Sequence, residues 1–578
     1  MEEKLKQIRH SLAHLLGASV LELWPDTHLA IGPAIDNGFY YDFEFSSPIT
    51  DKDLGKIEQK MKELLKKWKG FEKTEVTQKE AEKIFPKNPY KLELIKEHAD
   101  KGDKLTTYKS GDFLDFCAGG HVEDVKEIKK DAFKLDRIAG AYWRGDEKNK
   151  MLTRIYGLAF NSKEELEAYE KQQEEARKRD HRKLGKELKL FTISDLIGAG
   201  LPLLQPKGMV IRKEIEEYLW DLHKNEGYDR VWTPHITKKT LYETSGHAVK
   251  FGNELFKVSG GDEEFYMKPM NCPHHMQIFC DNQFSYRDMP VRYFEPATVY
   301  RYEKAGQLSG LTRVRAITQD DGHLFCRVNQ ISQEVGTIVK IIKNFYTTMN
   351  MMDGYWVRLS VRGDDKSKYL GGDEVWEKAE SALESSAKEN KLNYKRIEGE
   401  AAFYGPKLDF MFKDAIGREQ QLATIQCDFN LPERFDLSFT NEKGLLERPV
   451  VIHRAISGSL ERFMGVMIEH FAGAFPLWLS PVQIKIVPVR ENHNDHAEKV
   501  AKELKNLGFR VDCDTREGNM GGKIRDAKNN KIPYTIIIGD KDIEAKKVSI
   551  ESRDKGQLGQ MDLKEFIEKI NEEKVSRK

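Results

Sequence analysis

No stretch of this chain is apolar for long enough to cross a membrane, and the opening MEEKLKQIRHSLAHLLG breaks its apolar residues with charges of both signs, unlike a secretory core. A cytoplasmic location and no membrane partner are therefore expected. Cysteine is scarce: the six residues at 117, 272, 280, 326, 427 and 513 form no CxxC pair, which argues against a disulfide framework. Excess charge is missing too. Lys+Arg and Asp+Glu both total 94, so a nucleic-acid partner has to be held by local basic surface and not by an overall positive field. Neither a G-x-x-x-x-G-K-[ST] loop nor a G-x-G-x-x-G fingerprint occurs, so any nucleotide is held by side-chain charge on another scaffold.

What is present is enough chain for several domains, since 578 residues exceed what one hydrophobic core organises. Residues 1–158 mix helix and strand signals, with an apolar helix near 5–23 and a turn-rich IGPAIDNGFYYDFEF, and read as a compact α+β domain. Residues 159–190 carry SKEELEAYEKQQEEARKRDHRKLGKEL, poor in apolar residues and rich in opposite charges, which predicts a solvated connecting helix. Residues 191–480 form the largest block, with a helix near 208–225, strand-like stretches such as PVRYFEPATVYRYE, and a helix after His453 whose buried face runs through Ile456, Leu460, Phe463, Met467 and Phe471. Residues 481–578 alternate strand and helix, as VQIKIVPV, HNDHAEKVAKELKNL, FRVDC, GGKIRDAKNN and PYTIIIG, which predicts a small parallel-sheet α/β domain with right-handed crossovers.

Several segments carry chemistry. In YRYEKAGQLSGLTRVR, Arg301 and Glu303 are two apart and predicted to share a strand face, and Arg313 and Arg315 follow a glycine-containing loop. Guanidinium forks suit phosphate oxygens, although an isolated R-x-E is more often a surface ion pair. HRAISGSLERF adds Arg462, and MKPMNCPHH, TQDDGHLFC and FYGPKLDF are unusually polar for folded segments. Spacing alone leaves Cys272, His323 and His453 as a buried thiol and two ordinary histidines, with Cys326, His274 and His275 as rival ligands. In the first domain His10 and His14 share a helix face, and Cys117 and His121 repeat the four-residue interval in DFCAGGH. HxxxH with CxxxH fits either a four-ligand zinc set or a metal-free catalytic cluster.

Together these stretches resemble the motif set of class II aminoacyl-tRNA synthetases, and within that class the threonyl-tRNA synthetase family, over essentially the whole chain. RKEIEEYLWDLHKNEGYDRVWTPHI, ending with Pro234, is similar to motif 1, the dimer-forming helix and strand; YRYE through TRVR is similar to motif 2, and GSLERF to motif 3. The resemblance implies an antiparallel-sheet catalytic core flanked by an editing domain and an anticodon-binding domain, in an α+β multidomain homodimer. It implies that the enzyme joins L-threonine to tRNA(Thr) using ATP and Mg²⁺. Arg301 then contacts the α-phosphate, Glu303 the adenine amino group, and Arg313 with Arg462 the outer phosphates, where cations stabilise developing charge.

By the same resemblance Cys272, His323 and His453 bind one Zn²⁺ and leave a coordination position open for threonine's amino and hydroxyl groups. Gln319, Asp321 and Tyr404 look like amino-acid pocket residues, with Met270, Gln421, Gln426 and Ser459 as further lining; Gln421 and Gln426 could equally be strand polar residues. A site that requires a hydroxyl rejects valine by roughly 10⁴–10⁵, whereas serine differs by one methyl, worth only about 10–200-fold. A second, hydrolytic site is its natural companion. The family implies that His10, His14, Cys117 and His121 hydrolyse seryl-tRNA(Thr) without metal, with Lys91 and Asp115 orienting water and the tRNA terminus. The family commonly has an arginine and a proline inside the interval that reads CAGGH here, which predicts a looser loop. It also commonly carries a ubiquitin-like domain ahead of the editing domain; here His10 stands near the start, and charging and editing are expected not to need it. The competing reading, a catalytically silent relative that regulates by binding RNA, predicts loss of arginines or zinc ligands that are all present.

Overall fold

A computed structural model describes residues 2–577. The chain divides after Glu174 into two compact units. In the first, the helix Glu2–Leu23 buries Ile8, Leu12, Leu15, Leu16 and Val20. Their three- and four-residue spacing makes one apolar stripe. In the same core lie Phe39, Tyr41 and Phe43, alternate residues of the strand Gly38–Glu44 and therefore on one face of its sheet. The turn-rich segment is a hairpin: Ala34–Ile35 pairs back on Gly38–Phe39 across Asp36 and Asn37. That strand continues into an antiparallel sheet with Met151–Ala159 and Phe133–Tyr142. A second antiparallel sheet holds Glu72–Glu75, Thr106–Ser110 and Phe113–Phe116. The helix Pro89–Asp100 starts on an Asn88 cap, whose side chain accepts from the Tyr90 and Lys91 amides, with Pro89 in its first turn.

The second unit is built on an eight-stranded sheet, ordered Asp229–Arg230, Val291–Tyr300, Ala316–Cys326, Val450–Ser459, Glu419–Asp428, Lys407–Lys413, Trp356–Val361, Tyr394–Glu398. Its inner pairings are antiparallel and the outermost on each side parallel. The helix Ile331–Thr348 puts Val335, Ile338, Ile342 and Phe345 into the same core as Ile452 and Ile456 of the strand Val450–Ser459. Three expectations are corrected. His453 and Ile456 belong to that strand, and the following helix begins only at Leu460, because Ser459 caps it by accepting from the Arg462 amide. The connecting segment is two helices, Lys163–Arg179 and His181–Glu187, broken at Asp180. The first buries only Leu166, but the second buries His181, Leu184 and Gly185 and is not a solvated spacer. The C-terminal sheet is mixed. Val511–Cys513, Ile484–Pro488 and Tyr534–Ile538 are parallel, while Val548–Ser552 and Gly556–Met561 add an antiparallel edge. Among the described residues no helix is long and apolar enough to cross a membrane.

Candidate functional site

Two adjacent strands and a helix start deliver the central cluster. His323 and His453 stand directly opposite each other in the antiparallel pairing of Ala316–Cys326 with Val450–Ser459, and Cys272 opens the helix Cys272–Cys280. One ligand atom from each lies within 4.8 Å of the others, and all three residues are buried. Segments 51 and 130 residues apart in sequence thus converge.

The donor set fits a zinc ion. His453 engages the Asp428 carboxylate through Nε2 at 2.9 Å, leaving Nδ1 buried with no hydrogen-bond partner. His323 engages His275 through Nδ1 at 2.8 Å, which leaves its Nε2 for the cluster. Burial pushes the Cys272 thiol well up and the His323 imidazole well down, so both are neutral until a cation arrives. A thiol and two imidazoles, each imidazole steadied from behind, form a three-ligand site with a position to spare. The rival His275 stands in the layer behind, bonded to Glu295 at 3.1 Å. Burial alone would raise Glu295, but the His275 hydrogen bond and the Lys268 charge hold it down to about 2. His274 stays outside the cluster with both ring nitrogens unpartnered, and Cys326 lies in the apolar core. Sequence spacing gave no hint of His247, whose Nε2 is 3.5 Å from Cys272 Sγ and whose Nδ1 meets Ser245 Oγ at 2.8 Å.

Around this centre, the Tyr404 ring stacks on His453 at 4.7 Å and its hydroxyl donates to Gln426 at 2.7 Å. Asp321 is buried, with one carboxylate oxygen unpartnered and 3.9 Å from His323 Nδ1. Gln421 accepts from Arg358 at 2.7 Å; Arg358 also binds Asp409, which accepts from Thr424, so Gln421 and Gln426 sit at the two ends of one polar chain. Gln319 faces Ser459 across the strand pair. Between Gln319/Ser459 and Asp321/Ala455 one strand advances two residues and the other four. The surplus backbone wraps the Asp320 carboxylate, which accepts from the amides of Ile456, Ser457 and Gly458. Burial raises Asp320 to about 6 against the pull of Arg454. This staple was not legible in sequence.

The strand Val291–Tyr300 ends before Arg301, so Arg301 and Glu303 lie past the ladder and not on one strand face as expected. Arg301 turns inward beneath Phe251, donating to the Pro269 carbonyl at 3.2 Å and reaching Met270 Sδ at 2.7 Å. Glu303 accepts from Arg313 at 2.8 Å, and its carbonyl accepts from Arg315. Arg313 and Arg462 line one open cleft of about 600 Å³ together with Arg177, Arg182 and Arg418. Among the described residues Arg462 makes no ion pair, in contrast to Arg182 and Arg418, which are held by Asp180 and by Asp414 with Glu469. Two guanidinium groups of different commitment on one cleft suit a polyanion.

The first unit holds the other cluster. His10 and His14 come from one helix, Cys117 and His121 from the loop after Phe113–Phe116, and their donor atoms also lie within 4.8 Å of one another. Cys117 Sγ is 3.5 Å from Nε2 of both His10 and His121. The glycines of CAGGH adopt φ of +105° and +90°, and the Gly119 amide points at Cys117 Sγ. A side chain at Gly119 would also strike the Tyr108 hydroxyl, 2.4 Å from its Cβ, so glycine here sets the loop's shape as well as its freedom. Burial lifts the Cys117 thiol to about 12, and burial with the neighbouring histidines lowers His121 to about 2. Behind the cluster Asp115 receives Lys91 at 2.5 Å and the Tyr41 hydroxyl at 2.5 Å, and lies 3.7 Å from His14 Nδ1. Tyr41, a core aromatic by pattern, is the residue here that the sequence reading missed.

Residues 256–471 match the family model described as the tRNA synthetase class II core domain (G, H, P, S and T). Residues 483–573 match the anticodon binding domain, and 105–156 the threonyl and alanyl tRNA synthetase second additional domain. The chain is 47% identical to the threonine–tRNA ligase of Clostridium tetani, covering 99% of this chain and 88% of that protein. It is 45% identical to that of Gloeobacter violaceus, covering 100% and 93%. A solved structure titled as the RNA binding domain of threonyl-tRNA synthetase from Cryptosporidium parvum Iowa II superposes with a TM-score of 0.65 at 35% identity, covering 68% of this chain and 98% of that one.

Proposed function

The chain belongs to the threonine–tRNA ligase family, and we propose that it activates L-threonine with ATP, transfers it to tRNA(Thr), and removes serine attached in error. One observation carries the amino-acid specificity: Cys272, His323 and His453 converge within 4.8 Å, backed by Asp428 and His275. These three would hold Zn²⁺, which when bound supplies an open position for the amino and hydroxyl groups of threonine. The chain's own groups do the rest. Asp321, with its unpartnered carboxylate oxygen, faces the amino-acid end, and Tyr404 and Gln426 close the pocket beside His453. Gln319, Met270, Gln421 and Ser459 form the surrounding wall. Arg301 serves the α-phosphate from its inward position. Arg313 and Arg462 hold the outer phosphates and Mg²⁺-ATP in the arginine cleft, and Glu303 exchanges its Arg313 partner for the adenine amino group.

Serine attached to tRNA(Thr) in error is then removed in the first unit. There Asp115, anchored by Lys91 and Tyr41, orients His14, and His10, Cys117 and His121 line the space in which water would meet the ester. No metal is needed for that step. The C-terminal domain reads unstacked anticodon bases. A homodimer is supported by the 72% exposure of Trp232 within the segment resembling motif 1.

Amino-acid-dependent pyrophosphate exchange, run with threonine, serine and valine before and after zinc chelation, tests this reading. Threonine and serine should support exchange, valine should be weaker by roughly 10⁴-fold, and chelation should abolish threonine activation. Exchange that survives complete loss of zinc overturns it.

A further inference from the structure

We propose that His181, at the start of the second connecting helix, is a positioning residue for ATP: one imidazole that locks together the turn carrying Arg313 and the helix carrying Arg462. The inference rests on the phosphate-binding reading of those two arginines.

His181 is buried and both ring nitrogens are engaged. Its Nε2 accepts the Leu311 backbone N–H at 3.0 Å. That nitrogen must therefore carry the lone pair, and Nδ1 must carry the proton it donates to Glu469 Oε1 at 2.6 Å. The His181 backbone amide donates to the same oxygen at 3.1 Å, and the other Glu469 oxygen receives Arg418. Leu311 is the centre of a tight turn closed by Ser309 and Arg313, each of whose amides donates to the other's carbonyl at 3.1 Å. Glu469 lies seven residues beyond Arg462 on the helix Leu460–His470, on the same face two turns along. Leu311 and Thr312 also pack on Gly465 of that helix, so removing the imidazole would leave the apolar contact and take away the polar link that fixes the turn against the helix.

The fit is close. Gly310 has φ +48°, and a Cβ there would stand 2.1 Å from His181 Nε2, so the turn docks on the imidazole only with glycine next to Leu311. Asp180, His181 and Glu469 also satisfy the distances of a metal site. A cation is not what they hold: Asp180 is paired with Arg182, Glu469 with Arg418, and the ring nitrogens of His181 are both used. A histidine in a charged connecting segment thus lines the same cleft as Arg313 and Arg462, with both ring nitrogens spent on holding their supports.

Steady-state pyrophosphate exchange on the full chain tests the proposal. His181→Ala should raise KM for ATP by about 10-fold or more, since small misplacements of positioning groups are costly, and leave KM for threonine and seryl-tRNA deacylation unchanged. His181→Gln, whose amide can both donate to Glu469 and accept from Leu311, should recover much of the loss. Gly310→Ala, which pushes the turn off an intact imidazole, should reproduce the ATP defect and serves if His181→Ala does not fold. An unchanged KM for ATP in folded His181→Ala overturns the proposal, as does a parallel rise in KM for both substrates, or a glutamine variant no better than alanine. If Arg313→Ala and Arg462→Ala leave KM for ATP unchanged, the reading of those arginines falls first, and the role of His181 with it.

Discussion

The two cysteine–histidine clusters use the same side chains in different surroundings, and the proposed function gives them different chemistry. In the central cluster each histidine spends one nitrogen on a fixed partner behind it, His323 on His275 and His453 on Asp428, and all three members are buried. In the first unit His10, Cys117 and His121 turn toward one another, His10 and Cys117 are only partly buried, and the nearby carboxylate, Asp115, is already claimed by Lys91 and Tyr41. On the proposed reading, what separates a metal cage from an acid–base site is where the outward nitrogens go, and not which residues are present.

Three experiments press on that contrast. The largest effect is expected from Asp115→Asn, which should cut seryl-tRNA deacylation by roughly 10²–10⁴-fold, the range of a general acid–base contribution, with threonine-dependent exchange untouched. A loss of bound zinc in that variant would instead make the first cluster a cage as well. Asp428→Asn should weaken zinc binding by about 10–100-fold, measured by chelator competition, with deacylation unchanged; equal affinity would mean that the partner behind His453 is dispensable. The smallest effect concerns acid. His14 and His121 are held below the usual imidazole range by burial, so the unfolded chain takes up protons that the folded unit does not. Stability therefore rises with pH across that window and is lost as pH falls below about 6.5, by up to about 1.4 kcal/mol per pH unit for each histidine. Urea titrations of the chain followed by tryptophan fluorescence between pH 7 and 5 read this out, and replacing His121 by Gln should flatten the slope.

Much of this was legible because function was written in short unbroken strings. Through the family resemblance, NCP, QDDGH and HRAI each supplied one member of the central cluster, and TRVR and LERF each an arginine of the cleft. Alternation of strand and helix marked the C-terminal region as α/β but missed its antiparallel edge, and the antiparallel sheet of the central block came from the family resemblance and not from periodicity. What stayed hidden depends on pairing over long sequence distance. Ile456 fits a helical stripe with Leu460 and Phe463 but is held in the strand, since Ala455 and Ser459 on either side pair with Ala316–Cys326 and its own amide donates to Asp320. Asp320 reads as the twin of Asp321, and only the surplus backbone at 456–458 reveals that one of the pair is a staple. His247 and Tyr41 stand in segments whose patterns are those of ordinary helix and core strand. His181 sits in a charge-rich run that composition marks as a spacer, and its two partners lie 130 and 288 residues away.

The face-to-face placement of His323 and His453 has a consequence for how the enzyme comes to life. Side chains alternate along a strand, so a slip of one position between these two strands would send one imidazole to the far side of the sheet. An ion that needs both can be captured only by a chain whose strands are in step. If the cluster holds zinc as proposed, metal uptake would double as an inspection of the finished sheet, and a molecule misaligned at its centre would stay silent toward threonine instead of charging tRNA carelessly.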